Sequence, residues 1–270
     1  MVTLSPIIRL DTKETFGVLK VVPLDLVVVR FQDLISKTSF QFNGTFKQIE
    51  SAGGLRKFLN FNGQIVLSLI MKDGLIANLK PTNYATAINS LHPDSFTTVD
   101  GETYDGEFLV SSQELKRIHR ENEELLSLVP NVKPIGLVKG CSETQVVNHL
   151  KQLKSYGIDE FVFHISDFFR NGNRSMIRQA RTLSLAIRKN AEKLILYGFS
   201  SQKRLQEYSF ADRFVTSAHF VAALNGWKFV GTKQTKYTGG YNAQVITENF
   251  AQLCNNIKNL RLQKTLLEGN

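Results

Sequence analysis

Short apolar or β-branched runs alternate with longer amphipathic segments along most of this chain. The apolar runs that predict β-strands are residues 21–30, 64–70, 95–100, 134–138, 160–165, 193–197 and 213–216. The segments with apolar residues at helical spacing are residues 81–91, 112–126, 143–156, 174–190 and 202–208. Strands and helices that alternate through short connections form right-handed βαβ units, so the pattern predicts a parallel sheet.

Chain length and glycine pattern distinguish the two common folds built from such a sheet. Roughly 250 residues of this alternation is the size of one (β/α)8 barrel, and the chain has 270 residues. A doubly wound sheet is expected to carry a glycine-rich phosphate turn after its first strand, and neither G-x-G-x-x-G nor G-x-x-x-x-G-K-S/T is present. We therefore predict an α/β fold that consists of a single (β/α)8 TIM-type barrel. Residues 1–50 are expected to form the start of the barrel and a lid, residues 51–270 the remainder of the same domain, and residues 242–267 a closing outer helix.

The chain is strongly basic, with a formal net charge of +9 and an isoelectric point near 9.5. A positive field attracts polyanions, and release of counterions favours their binding, so tRNA or DNA is the predicted partner. A generally basic surface without such a partner is the alternative. Lysines and arginines recur over residues 170–204 and 228–236, whereas acidic residues concentrate over residues 94–124.

The sequence carries no sign of a membrane or secreted protein. It has no run of about 18 uncharged apolar residues and no recognisable secretory leader. Two cysteines, Cys141 and Cys254, cannot form a disulfide framework or a four-sulfur zinc site by themselves. No ligand spacing such as C-x-x-C or H-x-E occurs. The prediction is a cytoplasmic protein without a metal or cofactor.

Four ionisable residues near predicted strand ends are the candidates for catalysis. Functional groups of a (β/α)8 barrel cluster at the carboxyl ends of the strands. Asp100 follows one strand, and His164 lies inside another, with Ser166 and Asp167 close behind it. His219 lies in the polar segment that follows the last strand. We predict that Asp100, His164, Asp167 and His219 are catalytic, although a histidine in an apolar strand also suits a packed core position.

Five further residues near strand ends are candidates for binding a base or a phosphate. Lys139 follows an apolar strand and precedes Gly140. Its amine can bind a phosphate or the face of a base, or it can lie along the surface with its charge in water. Ser68, Gly198 and Ser200 occupy the corresponding places after two other strands.

Several stretches occur in the order of motifs that characterise one enzyme family. They are residues 53–66, 95–100, 134–140, 194–200, 211–226 and 241–260. Residues 134–140, PIGLVKG, are similar to the family's P-x-x-x-V-Q-G strand, and residues 53–66 to its G-G-L-x-x-F-L/M pattern. From about residue 50 to residue 262 the chain thus resembles the tRNA-guanine transglycosylase superfamily, which includes archaeosine and queuosine enzymes and DNA-modifying relatives.

The resemblance implies an exchange of guanine in a nucleic acid for a 7-deazaguanine base. In the family one aspartate attacks the ribose C1′, and a second acts in acid–base catalysis. The position of the attacking aspartate holds Val215 here, and that of the second aspartate holds Ser68. Asp100 matches the base-recognising aspartate, and Lys139 replaces the glutamine of V-Q-G. Asp212 cannot replace the nucleophile, because it lies three positions earlier and strand alternation turns it to the opposite face.

Three functions are compatible with this pattern. The remaining ionisable residues favour a divergent glycosyltransferase of 7-deazaguanine modification, acting on a nucleobase or nucleoside in tRNA or DNA. The loss of both aspartates favours a non-catalytic subunit that binds nucleic acid or a catalytic partner, in a homo- or hetero-oligomer with a transglycosylase-like subunit. A barrel enzyme acting on a phosphorylated metabolite is the third possibility.

Overall fold

A closed barrel of eight parallel strands forms the centre of the molecule. The structure is a computed structural model, and it describes residues 3–103, 107–166, 168–169, 173–198 and 202–268. The strands are β1 Thr3–Ile8, β2 Leu26–Arg30, β3 Gln64–Ser68, β4 Ser95–Thr97, β5 Lys133–Val138, β6 Glu160–His164, β7 Lys193–Tyr197 and β8 Arg213–Thr216. Neighbouring strands pair in parallel in chain order, and β8 pairs with β1 to close the barrel. The predicted (β/α)8 fold is confirmed.

Helices surround the strands. They are α1 Val18–Val21, α2 Gly44–Ser51, α3 Leu55–Leu59, α4 Asp73–Ile76, α5 Pro81–Leu91, α6 Phe108–Leu128, α7 Glu143–Ser155, α8 Arg174–Asn190, α9 Gln202–Glu207, α10 Ala218–Leu224 and α11 Ala243–Glu268. Short 3-10 helices span Lys13–Gly17 and Phe31–Leu34. Side-chain oxygens of Asn43, Ser142, Asn173 and Asn242 cap the N-termini of α2, α7, α8 and α11, in that order.

One strand of the barrel does not correspond to any of the seven predicted runs. β1 begins at Thr3 and contains Pro6, a residue that usually argues against a strand with neighbours on both sides. It nevertheless pairs with both β8 and β2, so residues 1–50 supply two strands of the barrel. Pro6 interrupts the short apolar run, which explains why periodicity did not identify this strand.

The barrel interior is filled by side chains. Strand alternation turns every second residue inward, and the buried interior cluster comprises Ile7, Leu26, Val28, Val66, Ile70, Ile135, Leu137, Val162, Ile195, Tyr197 and Val215. A second layer of apolar contacts lies between the strands and the helices. Because the interior is packed, a ligand has to bind above it, where the strands end.

The last part of the chain closes the barrel. Helix α11 packs against α10, β1 and the 3-10 helix Lys13–Gly17, with Val245, Ile246 and Phe250 buried, as predicted for the closing helix. Between α10 and α11 the chain forms an antiparallel hairpin, β9 Trp227–Val230 and β10 Lys233–Lys236, which the sequence did not predict. All four residues of β10 are exposed. In the described part of the chain, no helix is long and apolar enough to cross a membrane.

Candidate functional site

A cavity of about 920 Å³ opens at the carboxyl ends of the strands. Arg30, His164 and Tyr197, the last residues of β2, β6 and β7, line it. Lys72, before α4, and Trp227, at the start of the hairpin, complete a wall that combines cationic and aromatic side chains. The volume lies within the roughly 300–1,000 Å³ typical of small-molecule sites. We call this space the mouth cavity.

His164 and Ser166 form a hydrogen-bonded pair on the wall of the mouth cavity. Nε2 of His164 lies 2.6 Å from Oγ of Ser166. Gly198 allows the loop after β7 to approach this serine, since its φ is +100° and an added Cβ would lie 2.7 Å from the Ser166 Cβ. The Tyr197 ring meets the imidazole edge-on at 5.4 Å between centroids, and burial raises the pKa of Tyr197 to about 12, so its hydroxyl stays protonated. The pair can therefore move a proton between a ligand and the imidazole.

Arg30 supplies positive charge to the same wall. Its Nε and Nη2 donate to the carboxylate of Asp33, which also accepts the backbone N–H of Leu10 at 3.1 Å. Burial raises the pKa of Asp33, and the adjacent guanidinium opposes that effect. Asp33 thus fixes the guanidinium in place. Lys72, by contrast, is exposed and forms no ion pair with any described residue.

Asp100 and Lys139 are brought together, but outside the mouth cavity. Oδ1 of Asp100 lies 3.0 Å from Nζ of Lys139, and the two side chains are only 5% and 15% exposed. The carboxylate also accepts the backbone N–H groups of Met71 at 3.1 Å and Gly101 at 2.8 Å. These three interactions join the loops that follow β3, β4 and β5. The residue predicted to read a base is therefore committed to an internal ion pair.

Two neighbours hold Lys139 in this position. The backbone N–H of Lys139 donates to Nδ1 of His149 at 2.9 Å. Gly140 has a φ of +143°, and a Cβ there would lie 2.9 Å from both the Gln145 Cβ and the Val146 backbone nitrogen. Only glycine suits this backbone conformation and close approach. Gly140 thus contributes backbone geometry beside the ion pair.

The two positions at which the resemblance places catalytic aspartates are buried. Val215 is 2% exposed and belongs to the interior cluster. Ser68 is fully buried at the end of β3, where its hydroxyl accepts the backbone N–H of Ile70 at 3.3 Å. Asp212 precedes β8 at the opposite end of the barrel and binds Arg188 at 2.9 Å. Position 215 carries no carboxylate, and the carboxylate among the described residues that line the mouth cavity is Asp73.

His219, predicted to be catalytic, does not line the mouth cavity. Helix α10 begins at Ala218 and turns the His219 side chain inward, where it is fully buried against the Phe250 ring at 5.1 Å between centroids. Neither ring nitrogen has a hydrogen-bond partner among the described residues. Ala218, Val221 and Ala222 line the mouth cavity instead. Asp167 and Ser200, the other two predicted residues, lie outside the described residues.

The burial of His219 predicts a pH dependence of stability. Burial lowers the pKa of His219 to about 3 in the folded protein, whereas an unfolded histidine titrates at about 6.5. Between these values the unfolded state binds a proton that the folded state does not. Stability is therefore highest above about pH 6.5 and falls as the pH decreases, by about 1.4 kcal/mol per pH unit from this group.

Urea unfolding from pH 7.5 to pH 4.5 tests this expectation. The His219→Phe variant is expected to lose less stability on acidification than the wild type, because the buried imidazole is gone. His92→Asn changes an exposed histidine and serves as the control. Identical pH slopes in wild type and His219→Phe would contradict the assignment.

The sequence interpretation did not name Arg30 or Trp227 as residues of the site. Arg30 ends the apolar run LVVVR in the way that Lys139 follows GLV, so the same signal could have identified it. Trp227 lies in the hairpin, for which no signal was recognised. The chain matches no protein-family model, and no curated protein shows significant similarity to it.

Proposed function

We propose that this protein is a tRNA-guanine-transglycosylase-like barrel that binds tRNA or DNA and acts on one nucleobase or nucleoside in its mouth cavity. The observation that carries the proposal is the composition of that cavity. Arg30 and Lys72 provide positive charge, while Tyr197 and Trp227 provide aromatic surface. An aromatic base attached to a phosphate needs both kinds of group.

The proposed chemistry does not use an enzyme carboxylate as nucleophile. An oxocarbenium-like ribose C1′ forms when the bond to the departing base breaks, and N9 of the incoming 7-deazaguanine base then bonds to C1′ from the same face and returns its own proton to His164. The departing base takes the electron pair of the broken bond and a proton. His164 supplies the proton through the Ser166 hydroxyl, at the 2.6 Å contact described above.

Helix α8 offers a surface for the nucleic-acid backbone. Arg174, Arg178 and Arg181 are exposed and form no ion pair with the described residues. Their spacing of four and three residues places them on one face of the helix. The sequence of α8 contains no acidic residue. Because the outer helices of a barrel begin at the mouth end, this arginine stripe starts beside the cavity.

The salt dependence of binding tests the role of the stripe. The logarithm of the binding constant falls with the logarithm of salt concentration by about 0.9 for each phosphate neutralised on duplex DNA. Changing Arg174, Arg178 and Arg181 to Gln is expected to reduce this slope by about 2 to 3. A variant with Lys13, Lys47 and Lys57 changed to Gln removes the same charge from other exposed positions and is expected to keep the slope. Fluorescence anisotropy with labelled tRNA and duplex DNA measures both.

A non-catalytic subunit is the second candidate, and a specific observation favours it. The residue that would read the base, Asp100, is engaged by Lys139 and by two backbone N–H groups. Incorporation of a labelled 7-deazaguanine base into bound tRNA or DNA decides between the two. Incorporation that is lost in His164→Gln supports the enzyme, whereas salt-dependent binding without incorporation supports the subunit. Absence of binding to both nucleic acids would refute the enzyme and a subunit that binds nucleic acid.

A further inference from the structure

A second compartment of about 560 Å³ adjoins the mouth cavity. The two spaces share a wall formed by Arg30, Gln32, Lys72 and Gly74. The second compartment is otherwise lined by Arg9, Asp11, Asp33, Lys37, Phe40 and Leu75. It lies beside the loops that follow β1, β2 and β3. We call it the side compartment.

The charges in the side compartment do not cancel. Asp11 accepts two hydrogen bonds from Arg9, at 3.1 and 2.7 Å, so these two residues neutralise each other. Asp33 is engaged in the same way by Arg30. Four cationic residues and two carboxylates line the space, and with both carboxylates paired, Lys37 and Lys72 remain. Neither lysine forms an ion pair with a described residue. The compartment therefore has an excess of about two positive charges, counted from its lining.

Hydrogen-bond donors are available in the same space. Asp33 occupies Nε and Nη2 of Arg30, and Nη1 forms no hydrogen bond with the described residues. Lys37 lies in a closed loop, in which the backbone N–H of Ser36 donates to the Gln41 carbonyl at 2.9 Å. That loop keeps Lys37 near the compartment. Two ammonium groups and one half of a guanidinium thus form no ion pair or hydrogen bond with a described carboxylate.

We propose that the side compartment is a subsite for a phosphomonoester group of a ligand whose base lies in the mouth cavity. The proposal rests on the proposed function, because it assigns the base to that cavity. A phosphomonoester carries a charge of about −1.5 to −2 at neutral pH, which matches the two unpaired lysines. A phosphodiester within a chain carries only one negative charge. Arg30 and Lys72 are placed to contact both parts of the ligand, since they line both spaces.

Calorimetric titration of the full chain tests the subsite with four probes: inorganic phosphate, guanosine, guanosine 5′-monophosphate, and a short oligonucleotide with or without a 5′-phosphate. The monophosphate is expected to bind about tenfold or more tightly than the nucleoside. In the Lys37→Gln/Lys72→Gln double variant that advantage should disappear, whereas Lys37→Gln alone should reduce it and leave guanosine affinity within about twofold, because Lys37 lines the side compartment and not the mouth cavity. Lys13→Gln/Lys47→Gln, at exposed positions outside both spaces, is the control with the same charge change.

The outcomes separate this proposal from the proposed function. If guanosine binds and the monophosphate binds no more tightly, the subsite is refuted and the proposed function stands. If phosphate and monophosphate bind through the two lysines but neither nucleic acid nor nucleoside binds, the proposed function is refuted and the subsite stands. An oligonucleotide that gains affinity from its 5′-phosphate supports a terminal group. If the Lys37→Gln/Lys72→Gln variant loses the same affinity for the oligonucleotide with and without a 5′-phosphate, the phosphomonoester assignment is overturned.

Discussion

Lys139→Met is expected to lower the free energy of unfolding by about 3–5 kcal/mol, because it leaves a buried carboxylate without its cation. The Asp100 side chain is only 5% exposed and lies 3.0 Å from the lysine ammonium. The two backbone N–H groups that donate to it would remain, but they carry no net charge. Urea unfolding followed by the fluorescence of Trp227, the single tryptophan of the chain, measures the loss.

The same strand offers a matched control for this substitution. Lys133, at the start of β5, forms ion pairs with Asp159 and Glu160 but is 47% exposed. Lys133→Met is therefore expected to cost no more than about 1 kcal/mol, as is usual for surface pairs. Equal effects of the two substitutions would show that the Asp100 pair is not a buried one.

A double variant separates the charge from the packing. In Asp100→Asn/Lys139→Met the carboxylate is neutral, so the penalty for an unpaired buried charge is removed. We expect the double variant to be more stable than Lys139→Met alone. With Asp100→Asn measured as well, the cycle of four proteins gives the interaction energy of the pair. If the second substitution adds a further loss instead, the hydrogen bonds to Asp100 contribute more than its charge does.

Trp227→Ala is expected to weaken nucleotide binding about 10- to 100-fold, because stacking of a base on an aromatic ring contributes about 1–3 kcal/mol. Trp227 lines the mouth cavity at the start of the hairpin, next to the cationic wall. Trp227→Phe keeps an aromatic surface and should restore much of the affinity. Titration with guanosine 5′-monophosphate, which contains both a base and a phosphate, measures all variants.

Phe108 provides the control for this loss of an aromatic ring. It is 53% exposed at the start of α6 and does not line the mouth cavity. Phe108→Ala should therefore leave the affinity unchanged. Trp227 also packs partly against a small cluster that includes Phe229 and Leu253, so the melting temperature of each variant has to be compared as well. A stable Trp227→Ala protein with unchanged affinity would contradict the placement of the base.

Most of the barrel was predictable because buried parallel strands have nearly continuous apolar sequences. The runs LVVVR of β2, GLV in β5 and LILY in β7 have this character, and the helices between them carry apolar residues on one face. Helices α5 and α8 begin and end where the sequence predicted. β1 was missed because Pro6 interrupts a short run, and the hairpin because exposed β10 has no apolar pattern.

The candidate site was predictable only in part. Sequence order places Asp100, Lys139, His164 and Arg30 alike beside strand ends, and nothing local distinguishes a residue that faces a ligand from one that forms an internal ion pair. Tertiary contact between separate loops decided that Asp100 and Lys139 neutralise each other. It also decided that His164 meets Ser166 on a cavity wall.

The sequence by itself determined the barrel and its closing helix, because apolar periodicity is a local property. It also determined that position 215 has no carboxylate, because residue identity is read directly from the sequence. The tertiary structure alone decided which charges remain available. His219 became a buried core residue when α10 turned it toward α11. No motif marks Lys37 or Lys72. In the fold both line the side compartment as lysines without an ion pair to a described residue, and Lys72 also lines the mouth cavity. Whether a charge is available depends on its neighbours in space, and sequence spacing does not specify them.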